Sequence, residues 1–166
     1  MIENPFPSKA EVADISNAVI DGASAIMLSG ETAVGSYPIE SVKVMHKICN
    51  SIENRFIENK KYINESIPLA IGRSIAEICK SLPVTKIIAV TLSGYAARAI
   101  ASQMLDQPII AITNNSLIAN SFNLYRGTVG VHANIKFNKN NLEHVTKCIK
   151  YLWKKKIINE QDIILV

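Results

Sequence analysis

Cysteine is scarce in this chain, and Cys49, Cys79 and Cys148 stand far apart with no CxxC pair among them. That spacing excludes a disulfide scaffold and a thiolate metal site. Each cysteine falls in an amphipathic helical pattern and reads as the reduced, buried thiol of a cytoplasmic protein. No apolar run reaches the roughly 20 residues of a membrane span. The opening residues Met1-Ile2-Glu3-Asn4-Pro5 lack a basic region followed by an apolar stretch, so no secretory signal is read. His46, His132 and His144 are isolated, without metal-ligand spacing. No internal repeat and no low-complexity tract is present. Nucleic-acid motifs are absent too, although the net charge is +4 and the pI is near 9.0. The basic residues are scattered except for Lys154-Lys155-Lys156, which end a predicted helix and read as solvated cations at its negative pole. Neither a nucleic acid nor a membrane is expected as a partner.

What remains is a packed α/β protein. The 166 residues are 48% hydrophobic and 19% charged, which fits one ordinary domain with a short appendage. Ser8 and Glu11 form a capping-box pattern ahead of Val12, Ile15 and Val19 at helical spacing, and Gly22 marks the helix end. The apolar run Ala25 to Leu28 predicts a buried strand. A second helix starts near Pro38 and carries Val42, Met45, Cys49, Ile52 and Phe56 as its apolar stripe. Residues 58–66 are polar and aperiodic, a linker between an appendage at 1–57 and a domain at 67–166.

In that domain helices and short apolar strands alternate. A helix from about Ser66 and Pro68 carries Ile71, Ile75, Ile78 and Leu82, and a strand follows at Lys86–Thr91. Next come a helix from Gly94 to about Leu105, a strand at Ile109–Thr113, a short helix opening at Asn114 or Asn115, and a strand at Thr128–His132. A final helix from about Asn141 carries Leu142, Val145, Ile149 and Leu152, with Trp153 packing its edge, before a strand at Asp162–Val166. This order predicts an open three-layer α/β sandwich of Rossmann-like character around a mostly parallel sheet. Both ends read as interrupted. The appendage offers helix, strand, helix, too little for a sheet of its own, and the last strand stops without a turn.

Two stretches carry chemistry. In Met27-Leu28-Ser29-Gly30-Glu31-Thr32-Ala33 a strand-like run ends on hydroxyls and a carboxylate, at the strand edge where parallel α/β folds place their sites. The alternative is an ordinary loop in which Ser29 and Glu31 cap the next helix. Thr91, Ser93, Gly94, Tyr95 and Ala96 lie where a strand runs into a helix N-terminus, an arrangement that gathers backbone N–H groups and a hydroxyl for an anion. There the alternative is a cap without a ligand.

The stretch SKAEVADISNAVIDGASAIMLSGETAVGSYPIESVKVMHKI, Ser8 to Ile48, closely resembles the last barrel segment of pyruvate kinases, including the I-M-L-S-x-E-T-A and G-x-Y-P patterns. Ser8-Lys9 stands where that family has Thr-Arg, so the charge is kept without the bidentate fork. The resemblance continues through Ile88 to Arg98, Pro108 to Thr113 and Tyr125-Arg126-Gly127. Gly130 replaces a proline common in the family. The resemblance implies a helix–strand–helix remnant of a TIM barrel followed by the C-terminal domain of an enzyme that transfers phosphoryl from phosphoenolpyruvate to ADP, with Mg2+ and K+. It places Ser29 and Glu31, and with them Thr32, at the barrel mouth, where the enolate is protonated. It assigns a sugar-phosphate effector to the Thr91–Ala96 loop. Leu92 and Tyr95 depart there from effector-responsive members, and the opposing loop beyond the last strand is lacking. The family's catalytic lysine and metal carboxylates match positions upstream of Met1, and most acidic residues here lie on solvent faces of helices. The chain alone is therefore expected to be inactive, a homo-oligomer that works with the remainder of a pyruvate kinase. A free-standing phosphometabolite-binding module and a purely structural oligomerisation domain are the alternatives.

Overall fold

Ser8 opens the first helix as its spacing to Glu11 predicts, in a computed structural model that describes residues 1–53, 66–138 and 141–166. The chain divides into two compact units, Met1–Lys61 and Tyr62–Val166. Phe56 and the predicted linker up to residue 65 lie outside the described residues.

In the first unit, α1 (Lys9–Ile20) begins on a complete capping box. Glu11 N–H donates to Ser8 Oγ at 3.2 Å, and Ser8 N–H donates to Glu11 Oε2 at 2.7 Å. The helix closes in a Schellman arrangement. Gly22 takes φ +86°, its N–H donates to Val19 O, and Ala23 N–H donates to Ala18 O. A single turn, α2 (Gly30–Ala33), precedes α3 (Pro38–Glu53), which packs on α1. The predicted strand at Ala25–Leu28 does not form. An extended run needs a neighbouring strand to hold its backbone groups, and the described residues of this unit offer none. Met27 is instead 86% exposed.

The second unit is built on a four-stranded parallel sheet: β1 (Lys86–Val90), β2 (Ile109–Thr113), β3 (Thr128–His132) and β4 (Ile164–Leu165), in the order β3-β2-β1-β4. Strand alternation sends Ile87, Ala89, Ile109 and Ala111 to one face, where they meet Cys79, Ile100 and Phe122. Ile88, Ile110 and Ile112 go to the other face, against Cys148, Leu152 and Ile158. The first face is covered by α4 (Ile67–Ser81), α5 (Tyr95–Ala101) and α6 (Ser116–Phe122), the second by α7 (Glu143–Lys154). This is the expected three-layer sandwich with both sheet faces covered.

Three details differ from the sequence reading. Helix α4 buries Gly72, Ala76 and Cys79, while Ile71, Ile78 and Leu82 point outward. The small residues win because α5 comes so near that a Cβ on Gly72 would sit 2.8 Å from Ala99 O. Helix α5 ends at Ala101 rather than near Leu105, because Met104 turns into a left-handed conformation at φ +54°. Strand β4 is shorter than Asp162–Val166 because Asp162 is engaged through its side chain. That carboxylate accepts from Lys86 Nζ at 2.7 Å and Thr85 Oγ1 at 3.0 Å, pinning β4 to the start of β1.

Candidate functional site

In the second unit the candidate loop leaves the carboxyl end of β1. From there the chain crosses to β2 on one side, while β4 flanks the other, so the loop sits at the switch point of the sheet, where open α/β folds bind ligands. Thr91 is buried. Its N–H donates to Ile112 O at 3.0 Å, and its Oγ1 accepts from Gly94 N–H at 2.9 Å. This hydroxyl ties the loop back on the strand end. Gly94 caps α5 at φ +81°, a conformation that disfavours a side chain. A Cβ there would lie 2.5 Å from the Phe122 ring and 3.0 Å from Arg98 Nη1. The chain thus folds tightly over a core aromatic, and the Arg98 guanidinium comes back over the turn. Ser93, Tyr95 and Ala96 are exposed around it. The arrangement offers first-turn N–H groups, a serine hydroxyl and one guanidinium to an anion.

In the first unit Ser29, Glu31 and Thr32 are also brought together, by local bonds. Ser29 N–H donates to Glu31 Oε2 at 3.1 Å, and Thr32 Oγ1 donates to Ser29 O at 3.3 Å. Glu31 has its carboxyl held below the usual carboxylate range by backbone N–H bonds, its own and that of Ser29. It is ionised at neutral pH and orients the turn, so any proton donated from this cluster comes from a hydroxyl. Among the described residues no three His, Cys, Asp or Glu side chains stand close enough to hold a metal ion.

The family model for the pyruvate kinase barrel domain matches residues 1–42, and that for the pyruvate kinase alpha/beta domain matches residues 69–166. The chain belongs to the pyruvate kinase family. Pyruvate kinase of Bacillus licheniformis is 41% identical over 133 residues, 76% of this chain and 23% of the relative. That of Thermotoga maritima is 34% identical across 100% of this chain and 36% of the relative. A crystal structure of a pyruvate kinase from Cryptosporidium parvum superposes with a TM-score of 0.75 at 28% identity, over 98% of this chain and 34% of that one. The chain therefore spans about a third or less of the pyruvate kinases it matches.

Arg98 is a candidate residue of this loop that the sequence pattern did not single out. Its signal was available: a cation four residues after the glycine that caps α5 lies one turn above the loop. Gly130 also gains a reason for departing from the family's proline. A Cβ at that position would lie 1.8 Å from Ala119 O, so α6 packs on β3 more closely than any side chain permits. In the first unit Phe6, Met27, Val34 and Ile39 are all largely exposed. No helix among the described residues is long and apolar enough to cross a membrane.

Proposed function

We propose that this chain is the carboxyl-terminal part of a pyruvate kinase, whose α/β domain serves regulation and assembly and which does not turn over substrate by itself. In this reading residues 1–57 complete the barrel, 58–66 connect, and 67–166 form the regulatory domain. The whole enzyme transfers phosphoryl from phosphoenolpyruvate to ADP in the cytoplasm. Magnesium and potassium, when bound there, supply the electrostatic stabilisation of the transferring group. Ser29 and Thr32 contribute hydroxyls to the barrel mouth, and Glu31 fixes the Ser29 backbone that the Thr32 hydroxyl leans on.

The observation that carries the regulatory reading is the Ser93–Gly94 turn at the carboxyl end of β1, with the Arg98 guanidinium beside it. A phosphorylated metabolite would bring its phosphate to the N–H groups of Tyr95 and Ala96, with Ser93 and Arg98 closing on it. Assembly is favoured by a second observation. Ile67, Ile71, Ile78 and Leu82 of the α4 segment face outward in this chain, an apolar row that suits contact with another copy.

The chain alone, given phosphoenolpyruvate, ADP, Mg2+ and K+, is expected to form no pyruvate. Turnover abolished by Ser29→Ala would overturn the reading. Inorganic phosphate or a hexose bisphosphate at a hundred times its dissociation constant should stabilise the α/β domain by about 2.7 kcal/mol. Arg98→Gln should remove that stabilisation, as read by thermal unfolding.

A further inference from the structure

Lys147, Lys150, Lys154, Lys155 and Lys156 fall within ten positions of one another along α7 and its end, and all are exposed. Their counter-charge on the helix is slight. Glu143 approaches Lys147 at 3.8 Å with both side chains mostly in solvent, a geometry that neutralises little. Lys155 lies over the Tyr151 ring at 5.8 Å. Among these cations stands Trp153, the only tryptophan of the chain, 49% exposed. The opposite side of α7 is fixed, because Cys148 and Leu152 are fully buried against the sheet. The basic face cannot turn inward, and the indole is already half held by its own fold.

We propose that this face of α7 docks an acidic protein surface, with Trp153 entering an apolar socket ringed by carboxylates. Tryptophan is the residue type that most often anchors protein interfaces, and a partly packed indole loses little freedom on docking. Lysines do their work at the rim, steering an oppositely charged surface and rejecting a like one. A helix on the outside of a sheet presents a ridge. A ridge suits a socket in a folded partner better than it suits a single nucleic-acid strand, which is bound along grooves.

Trp153 emission reads this site directly, since no other tryptophan contributes. The whole chain is titrated at physiological ionic strength with a random copolymer of glutamate and tyrosine, alongside oligouridylate and phosphatidylserine vesicles. The expected result is a saturable blue shift with the copolymer that weakens as salt rises. By anisotropy of labelled copolymer, Trp153→Ala should bind about tenfold more weakly. The combined Lys150→Glu, Lys154→Glu and Lys156→Glu variant should lose at least about as much. Absence of the shift, or copolymer affinity unchanged in both variants, would overturn the proposal. Tighter binding of oligouridylate with quenching, or of the vesicles, would overturn it in favour of those partners. All four positions are exposed, and circular dichroism checks that the variants keep the fold.

Discussion

Among the described residues of Met1–Lys61 only Met1 and Ser41 are buried, whereas Tyr62–Val166 encloses apolar residues on both faces of its sheet. Similar sequence signals lie behind both units: capped helices, apolar stripes and a short apolar run. In the second unit four runs find one another and become a ladder. In the first, the single run at Ala25–Leu28 finds no strand partner among the described residues, and Met27 and Val34 face solvent. Local signals specify helices and turns, but a strand and a core exist only where several segments can meet. The first unit is therefore held by its ends and caps, the second by its interior.

The sharpest way to break this contrast is to disturb the interior of the second unit at one atom. Gly130→Ala places a methyl group in the space of Ala119 O. The α/β unit should lose about 3 kcal/mol, since overpacking against backbone has no flexible neighbour to yield. Urea unfolding checks this, and a loss below half a kcal/mol would mean that α6 slides freely on β3. The corresponding stroke on the first unit is against a cap. Ser8→Ala removes the acceptor of Glu11 N–H and should cost about 1 kcal/mol of α1 stability. Hydrogen exchange should show the first turn of α1 opening while β1 and β2 protons stay protected.

The smallest effect expected is a pH dependence shared by both units. Glu11 is held down at about 2, first by the N-terminal ammonium group and then by Ser8. Asp162 is lowered chiefly by its hydrogen bond from Lys86. Both carboxyls are depressed, so their contribution is present above the ordinary carboxylate values and is lost as pH falls through the lowered ones. Thermal midpoints should be flat from neutrality to about pH 5 and decline below that. Asp162→Asn should flatten the decline of the second unit alone.

Much of this architecture was legible beforehand, for identifiable reasons. The bounds of β2 and β3 match their reading, because Ile109–Ile112 is an apolar run set between Pro108 and Asn114, and Thr128–His132 follows directly on the Gly127 turn. The capping box at Ser8 and the stop at Gly22 are spacing rules that act within a few residues. The buried side of α4 was misread because isoleucine outweighs glycine and alanine in any count of hydrophobicity, while the residue that selects a small neighbour at Gly72, Ala99 of α5, lies 27 positions away. Ser29, Glu31 and Thr32 do gather, but with the local bonds an ordinary cap would also make. Arg98 escaped notice because its relation to the loop is a side-chain direction.

The pairing of β1 with β4 fixes an order of events during synthesis. Lys86 is matched to Ile164, and the Lys86–Asp162 bond spans 76 positions, whereas β2 arrives beside β1 within a single helix. At about 5 to 20 residues per second, one edge of β1 waits on the order of 4 to 15 seconds for its last partner to leave the ribosome. For most of that interval Ile88 lacks Cys148 and Leu152 of α7, and to its end it lacks Ile164, all of them its neighbours in the finished core. A nascent chain paused there would present an open, apolar sheet edge, which makes this the stage at which the chain most needs protection from its neighbours.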